Sequence, residues 1–330
     1  MTPLSNPDRG AGSGITESST VEVDAEEVDS LWSDEASAYT ASIASVHEWK
    51  FGRRYGSGNY QFPNDEPEQA RLNVCHDAFF LLLHNRLFLA PINPDGIRIL
   101  DIGTGTGVWP IDMSTLYPSI AHITGIDLSP IQPHWAPPNV EFILDNIEDD
   151  WMENQPYGYI HCRYMAGSIS DWPRLVRQCF QNLKPGGWVE FHETICNPYS
   201  EDGSLEPTHK LVELMRLLAG ACNHAGRSLD PGPSLKGWLQ DAGFTRVQTR
   251  RIKSPIGPWP RDPRLKEAGL LLALNLIEGV DAFTAAPFRE VMGWPPEEIT
   301  TFNEAVRKDL RRRGVHAIID MIVVTAQKPE

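Results

Sequence analysis

One short stretch, Ile97–Gly107, restricts what this chain can fold into more than any other. Its first half, Ile97–Ile102, is an isoleucine-rich apolar run with only two polar residues, which predicts a buried strand. Glycine then occupies every second position: Gly103, Gly105 and Gly107. Glycine is favoured where the backbone turns sharply or where a ligand lies directly against it. Because a short helix is expected to follow and to end before Pro118, the glycines are predicted where free backbone N–H groups collect.

A second strand is predicted over His122–Ile126, and an acidic residue, Asp127, follows it directly. A carboxylate at this place can accept hydrogen bonds from the ribose hydroxyls of a bound nucleotide. NAD and S-adenosylmethionine (SAM) both carry such a ribose. Val108 stands where the dinucleotide-binding fingerprint has Gly or Ala, but a glycine-rich loop alone is weak evidence for either cofactor.

A third segment, Leu183–Trp188, separates the two cofactor classes. It has the sequence Leu-Lys-Pro-Gly-Gly-Trp and leads into an apolar strand that ends at Glu193. Together with the glycine loop and Asp127, this segment resembles the class I SAM-dependent methyltransferases, in which it precedes the fifth strand. The resemblance implies an α/β fold, a Rossmann-like sheet of seven strands, and SAM as the cofactor. The last strand, around Met321–Val324, is then expected to be antiparallel and to lie beside the fifth.

The resemblance also assigns cofactor contacts beyond the glycine loop. A third strand, Val140–Leu144, runs into an acidic segment, and in the family an acid or amide here holds the adenine amino group. Asn146 stands where the family usually has an acid, and an amide oxygen can accept the same hydrogen bond. A cap on the following turn remains an alternative role for Asp145. The cofactor set implied is Tyr55, Asp101, Gly103, Gly105, Gly107, Asp127, Leu128, Asp145, Asn146 and Ile147.

Segments before the first sheet strand narrow the resemblance. Gly52-Arg53-Arg54-Tyr55 is followed by Pro63-Asn64-Asp65-Glu66 and, late in the predicted helix, by His76. These segments are similar to the fungal LaeA-like methyltransferases of secondary metabolism, in which N-terminal helices lie over the cofactor. Tyr55 is thereby implied as a lid residue. The alternative is that Arg54 and Tyr55 only anchor the segment to the core.

Three segments are predicted along the chain. Residues 1–45 are expected to be a disordered acidic leader, because the first 50 residues carry ten acidic side chains against only Arg9 and Lys50. Residues 46–92 are expected to form an N-terminal helical lid. Residues 93–330 form the methyltransferase domain, with C-terminal helical insertions near 197–232 and 260–312.

Composition and charge restrict the partners. The chain carries 29 basic and 44 acidic side chains, a net charge of −15, which argues against a nucleic-acid partner. Its five cysteines are scattered and show no Cys-x-x-Cys spacing, which indicates a reducing compartment and no structural metal. The longest apolar runs are too short to cross a bilayer. A cytoplasmic location is expected, with a nuclear location as the alternative, and both a monomer and a homodimer remain open.

Candidate catalytic side chains lie at the predicted ends of the fourth and fifth strands. In open α/β sheets ligands bind beyond the carboxyl ends of the strands. His161 and His192 are therefore candidate general bases for a hydroxyl acceptor, with Glu193 orienting them. A purely structural role is the alternative for each histidine.

The function indicated is methyl transfer from SAM to an oxygen or nitrogen atom of a small-molecule acceptor, a fungal secondary metabolite. One alternative is a LaeA-like nuclear regulator that acts in a protein complex. Another is a SAM-fold protein that does not transfer methyl groups, since binding a cofactor does not establish transfer.

Overall fold

The computed structural model describes residues 20–21, 47–56, 61–151 and 155–330. Most of the predicted leader, residues 1–45, lies outside these ranges. Of the two leader residues within them, Thr20 is exposed and Val21 packs against the body of the protein. Val21 is buried against Trp259 and Ile318, and its backbone N–H donates to Glu201 Oε2 at 3.1 Å.

The N-terminal segment opens with a two-stranded antiparallel ribbon, β1 (His47–Lys50) and β2 (Arg53–Gly56), followed by helix α1 (Glu66–Leu82). The lid predicted over residues 46–92 is therefore only partly helical. Asp65 caps α1 by accepting a hydrogen bond from the backbone N–H of Glu68. This same carboxylate accepts two hydrogen bonds from Arg53, at 2.5 and 2.8 Å. The ribbon is thus fastened to the first turn of α1.

The neighbouring arginine strengthens this connection. Arg54 donates to the backbone oxygen of Asn64 at 2.7 Å and to the Glu66 carboxylate at 2.8 Å. The Gly-Arg-Arg-Tyr and Pro-Asn-Asp-Glu segments are therefore held together by charged hydrogen bonds, which are among the stronger ones in proteins. This contact agrees with the anchoring alternative for Arg54.

The remaining strands form one seven-stranded sheet with the order β5-β4-β3-β6-β7-β9-β8. The first five of these are mutually parallel, whereas β9 is antiparallel to both of its neighbours. The strand bounds are β3 Arg98–Ile102, β4 His122–Asp127, β5 Val140–Leu144, β6 Tyr157–Arg163, β7 Leu183–Thr194, β8 Thr245–Ile252 and β9 Met321–Gln327. The predicted Rossmann-like sheet, with an antiparallel last strand beside the fifth, is confirmed.

Helices cover both faces of this sheet and extend beyond its carboxyl edge. Their bounds are α2 Val108–Leu116, α3 Trp172–Asn182, α4 Lys210–His224, α5 Gly232–Asp241, α6 Pro263–Ala286 and α7 Pro296–Leu310. Helices α4, α6 and α7 lie in the two regions where insertions were predicted. Together with α1 they enclose a large hydrophobic cluster, which includes Phe79, Met215, Leu276 and Val306.

Helix α6 is the central element of this layer. With the π-helical turn Pro287–Val291 that continues it, α6 is long and apolar enough to cross a membrane by length and composition alone. However, 72% of its most apolar stretch is buried inside the protein, against α1 and α7. Gly279 allows α1 to approach closely, because a Cβ there would lie 2.7 Å from Arg71 Cδ.

Candidate active site

The glycine loop joins β3 to α2, and all three of its glycines have left-handed backbone angles. Such angles cost little for glycine and strain any other residue. A Cβ on Gly103 would overlap the Met165 sulfur, and one on Gly107 would lie 2.5 Å from the Phe142 ring. The absence of side chains at Gly103 and Gly107 therefore allows the glycine loop to pack closely against Met165, in the loop after β6, and against Phe142 of β5.

Asp127, the last residue of β4, supports this loop from the neighbouring strand. Its Oδ2 accepts a hydrogen bond from the Gly105 N–H at 2.8 Å, and its Oδ1 accepts one from the Ser129 N–H at 2.8 Å. Burial raises the pKa of this carboxyl. Each oxygen retains lone pairs, so the carboxylate can accept further hydrogen bonds from ligand hydroxyls.

Two cavities meet at the glycine loop. The smaller lies at the ends of β4 and β5, and its lining comprises Gly103, Ile126, Asp127, Leu128, Asp145, Asn146, Ile147, Glu148, Met165, Ser168 and Ile169. The larger extends from the same loop toward α1, α4 and α6. Both are bordered by the same four residues: Gly103, Asp127, Met165 and Ser168. A ligand with a nucleoside at one end and an amino-acid chain at the other can therefore lie across this junction.

The smaller cavity gathers six of the residues that the sequence assigned to the cofactor, namely Gly103, Asp127, Leu128, Asp145, Asn146 and Ile147. Leu128 and Ile147 give it apolar walls that suit a flat heterocycle. Asp145 Oδ1 accepts from the backbone N–H of Asn146 at 2.8 Å, so it also stabilises the turn, as the alternative role proposed. Gly105 instead lines the larger cavity, and Gly107 borders neither.

Met165, Ser168 and Ile169 were missed by the sequence analysis, although they border the smaller cavity. They belong to the loop after β6, which starts at Tyr164 with a left-handed φ of 60°. Tyr164 directly follows β6, and its place at the carboxyl edge of the sheet, where ligands bind in open α/β sheets, was the one signal that pointed to the loop.

Asp101 and Tyr55 do not line either cavity, contrary to the assignment that the resemblance implied. Asp101 is buried, accepts a hydrogen bond from Thr104 Oγ1 at 2.7 Å, and contacts His161 Nδ1 at 2.7 Å. Burial raises the pKa of Asp101 to about 7. The Asp101 carboxyl therefore stabilises the glycine loop through its hydrogen bond with Thr104, on the side away from the two cavities. The buried hydroxyl of Tyr55 has no hydrogen-bond partner among the described residues, and burial raises its pKa to about 12.

The three predicted catalytic side chains are brought close together, but they lie beneath the cavity floor. His161, His192 and Glu193 are at most 1% exposed and line neither cavity. The His161 ring stacks on Trp109 with centroids 3.9 Å apart and meets the His192 ring edge to face at 5.0 Å. Burial lowers the pKa of His161 well below its ordinary value.

Hydrogen bonds within the fold occupy the other two side chains. His192 Nε2 contacts Glu190 Oε1 at 2.5 Å, and Glu193 accepts from the backbone N–H groups of Met165 and Ala166 at 2.9 and 3.1 Å. These positions leave the predicted general bases His161 and His192, and Glu193 that was expected to orient them, out of contact with both cavities. The physical reason is depth: His161 lies two residues inside β6, whereas Arg163, at the end of the same strand, reaches the cavity.

The larger cavity holds a buried polar cluster between α1 and α6. Arg71 donates to both Glu68 carboxylate oxygens, at 2.9 and 2.5 Å, and to Asn275 Oδ1 at 2.5 Å. Its guanidinium carbon lies 5.0 Å from the centroid of the Phe283 ring and 5.7 Å from that of Tyr164. Burial raises the pKa of Tyr164 to about 12, so its hydroxyl keeps its proton at neutral pH.

A second polar contact lies nearer the glycine loop. Arg163 Nη2 contacts His76 Nδ1 at 2.9 Å, and His76 Nε2 contacts Asp112 Oδ2 at 2.9 Å. An arginine side chain can only donate, so Nδ1 must accept and Nε2 must carry the proton. Burial lowers the pKa of His76, in agreement with this neutral form.

The rest of the larger cavity is mostly apolar, with side chains from α1, α4, α6 and the loops around them. These are Phe62, Leu72, Cys75, Phe79, Met215, Leu218, Leu229, Ile256, Leu272, Leu276, Phe283 and Ile319. Among the described residues, no group of three or more His, Cys, Asp or Glu side chains could hold a metal ion.

The strand order, the antiparallel last strand and the carboxylate that supports a glycine loop define a class I SAM-dependent methyltransferase fold. Comparisons with known proteins agree. A family model described as a methyltransferase domain matches residues 75–249. The chain is 50% identical to the methyltransferase pytC of Aspergillus terreus over 312 residues, which cover 94% of this chain and 96% of the relative.

Two further matches are more distant. The protein-methionine methyltransferase laeA of Emericella nidulans is 32% identical over 293 residues, which cover 84% of this chain and 75% of the relative. Among solved structures, phosphoethanolamine N-methyltransferase 2 of Haemonchus contortus, in complex with S-adenosyl-L-methionine, matches 84% of this chain and 55% of its own, with 16% identity and a TM-score of 0.46. The chain belongs to the LaeA-like family of fungal SAM-dependent methyltransferases. It is an enzyme, and its methyl donor is SAM.

Proposed function

We propose that this enzyme transfers the methyl group of SAM to an oxygen or nitrogen atom of a small-molecule acceptor, a fungal secondary metabolite. The observation that carries the proposal is the larger cavity, which continues from the glycine loop into the layer formed by α1, α4 and α6. Its apolar walls, interrupted by only a few buried polar side chains, suit a compact molecule with few polar groups.

The cofactor is proposed to lie across the junction of the two cavities. Its adenine occupies the smaller cavity between Leu128 and Ile147, with Asn146 nearby to accept a hydrogen bond from the amino group. Its ribose hydroxyls donate to Asp127. Its amino-acid end lies along Gly103 and Gly105, in the larger cavity. When bound, SAM supplies an electrophilic methyl group on a sulfonium.

The protein's part in this reaction is chiefly positioning. Holding an acceptor atom in line with a methyl group can contribute roughly 7–11 kcal/mol to lowering the barrier. Tyr164 and Asn275 are the neutral side chains of the Arg71 cluster, both line the larger cavity, and they are proposed to orient the acceptor. The apolar walls exclude water from the transfer point.

A second candidate function is that of a regulator of secondary metabolism that methylates protein. The identity of 32% to a relative named protein-methionine methyltransferase favours it. A polypeptide acceptor would have to insert a side chain into a cavity whose walls are mostly apolar. We therefore rank it second to a small-molecule acceptor.

Labelled methyl transfer separates the two functions. The full chain is incubated with methyl-labelled SAM and an extract of the fungus that produces it, with the Asp127→Asn variant as the control for background labelling. We expect a labelled metabolite whose formation depends on Asp127. A label confined to a polypeptide would support the regulator instead.

A further inference from the structure

The larger cavity contains one cationic side chain, Arg163, that no carboxylate neutralises within ion-pair distance among the described residues. Its only hydrogen-bond partner there is His76, and its guanidinium carbon lies 5.5 Å from the centroid of the Phe79 ring. The other arginine in the cavity, Arg71, is by contrast fully paired with Glu68 and Asn275. Arg163 lines the cavity, and its remaining N–H groups have no acceptor among the described residues.

A cation without a direct ion pair is costly in such a place, although the carboxylates of Asp101 and Asp112 act on Arg163 from farther away. Burial lowers the pKa of Arg163, which shows that its surroundings disfavour the charge. The sulfonium of SAM would add a second positive charge to the same cavity. Charges taken out of water are normally paired directly, and Arg163 has no such ion pair among the described residues. A ligand can supply the missing anion.

The cavity also offers no good proton acceptor for a hydroxyl substrate. His76 has both ring nitrogens engaged, by Arg163 and by Asp112. Glu68 is paired with Arg71 through both carboxylate oxygens, so protonating it would break a buried ion pair.

The remaining titratable groups of the cavity are no better placed. Asp127 accepts two backbone hydrogen bonds at the cofactor junction. Tyr164 and Cys196 are protonated at neutral pH, because burial raises the pKa of each to about 12. Burial likewise raises the pKa of Cys75. Among the described residues, none that lines the cavity is therefore suited to remove a proton from the acceptor.

Arg163 has no direct ion pair, and no described residue that lines the cavity is suited to act as a base. Together these two observations indicate one class of substrate. We propose that the acceptor carries an acidic oxygen, a carboxylate or an enol or phenol that is ionised at neutral pH, and that Arg163 binds this oxygen anion. The inference rests on the proposed function and narrows it to O-methylation.

The reaction balances without a base. A lone pair of the oxygen anion forms the new O–C bond, and the electron pair of the broken S–C bond remains on sulfur. The charges of the anion and the sulfonium cancel, so no proton has to leave. Arg163 is proposed to favour the ionised form of the acceptor and to position its oxygen.

The first test measures anion binding directly. Benzoate and benzamide, a flat acid and its neutral isostere, are titrated calorimetrically into the full chain saturated with S-adenosylhomocysteine (SAH). We expect benzoate to bind about tenfold more tightly than benzamide, as one charge-assisted hydrogen bond predicts. Equal affinities, or no binding of benzoate, would overturn the proposal on the wild-type protein alone.

Two variants assign the preference to Arg163. Arg163→Gln keeps an N–H donor for His76 but removes the charge, so it should abolish the preference for benzoate. Arg163→Lys keeps the charge and should retain most of it. Thermal unfolding of each variant checks that the fold is intact. A preference that survives Arg163→Gln in a folded protein would contradict the assignment.

A third measurement tests whether the anion that Arg163 binds is instead the carboxylate of the cofactor. SAH carries that carboxylate, whereas 5′-methylthioadenosine lacks it. We expect Arg163→Gln to bind both as the wild type does. A selective loss of SAH affinity would assign Arg163 to the cofactor and overturn the proposal.

These binding measurements involve no methyl transfer, so their outcome is separate from that of the extract experiment. A label found only on polypeptide would end the small-molecule function even if Arg163 bound benzoate. A labelled metabolite with no benzoate preference would keep that function and remove only the acidic acceptor.

Discussion

The carboxylate of Asp127 accepts a hydrogen bond from the backbone N–H of Gly105 at 2.8 Å. This contact joins the end of β4 to the loop that follows β3, and both residues border the larger cavity. The part of the site that faces the cofactor is thus preorganised by one side chain.

Replacing that carboxylate should weaken cofactor binding. In Asp127→Asn, the amide can present only one oxygen, and its NH₂ group would face the N–H of Gly105 or Ser129. Loss of a charged acceptor costs about 1.5–3 kcal/mol, so SAH affinity should fall roughly 10- to 100-fold. Calorimetry measures this loss. Asp149→Asn, at an exposed carboxylate, is the matched control and should bind SAH normally.

The glycine loop can be tested against a control with the same backbone strain. Gly103 and Gly203 have φ of 67° and 77°, but only at Gly103 would a Cβ meet a neighbour, Met165. Each Ala variant should lose about 1–2 kcal/mol of stability from the left-handed backbone. Only Gly103→Ala should also lose SAH binding. Equal SAH affinity in the two folded variants would show that bare backbone at Gly103 is not needed.

His192 should prove structural. His192→Ala removes one of the buried hydrogen bonds of the Glu190 carboxylate, which keeps those from the Tyr159 hydroxyl and from the backbone N–H groups of Leu89 and Ala90. Loss of one hydrogen bond to a charged group costs about 1.5–3 kcal/mol. Thermal and urea unfolding would measure the loss. If the variant instead kept its stability and its SAH affinity but lost turnover, that result would support the catalytic role predicted from the sequence.

Glu193 should make stability fall as the pH rises. Burial raises its pKa from 4.5 to about 8, so the folded protein binds a proton that the unfolded chain has released. Its contribution is complete below the unfolded pKa and is lost as pH rises through the folded pKa. Unfolding midpoints between about pH 4.5 and 8 should therefore decline less steeply in Glu193→Gln than in the wild type. Parallel pH profiles would contradict this.

The fold could be predicted because its signals are local. The glycine loop, the acid at the end of β4 and the Leu-Lys-Pro-Gly-Gly-Trp segment each depend on neighbouring residues, and they occur in the order that a class I sheet requires. Asp145, Asn146 and Ile147 reached the same cavity as Asp127 because parallel strands end at one edge.

The polar contacts that line the larger cavity, where the acceptor is proposed to bind, could not be predicted, because they join residues that are distant in sequence. Asn275 lies 204 residues after Arg71, and His76 lies 87 residues before Arg163. Both histidines predicted to be catalytic lie at strand ends by pattern, yet Trp109 and Glu190 hold them below the cavity floor. Strand periodicity indicates on which face of the sheet a side chain lies. It does not indicate whether neighbouring elements bury that side chain.

The central claim is that a sulfonium nucleotide lies across the glycine loop with its sugar on Asp127. Calorimetric titration of the full chain with SAH and, separately, with NAD tests it most directly. We expect one SAH bound per chain and no heat with NAD. Clear binding of NAD together with no binding of SAH would contradict it.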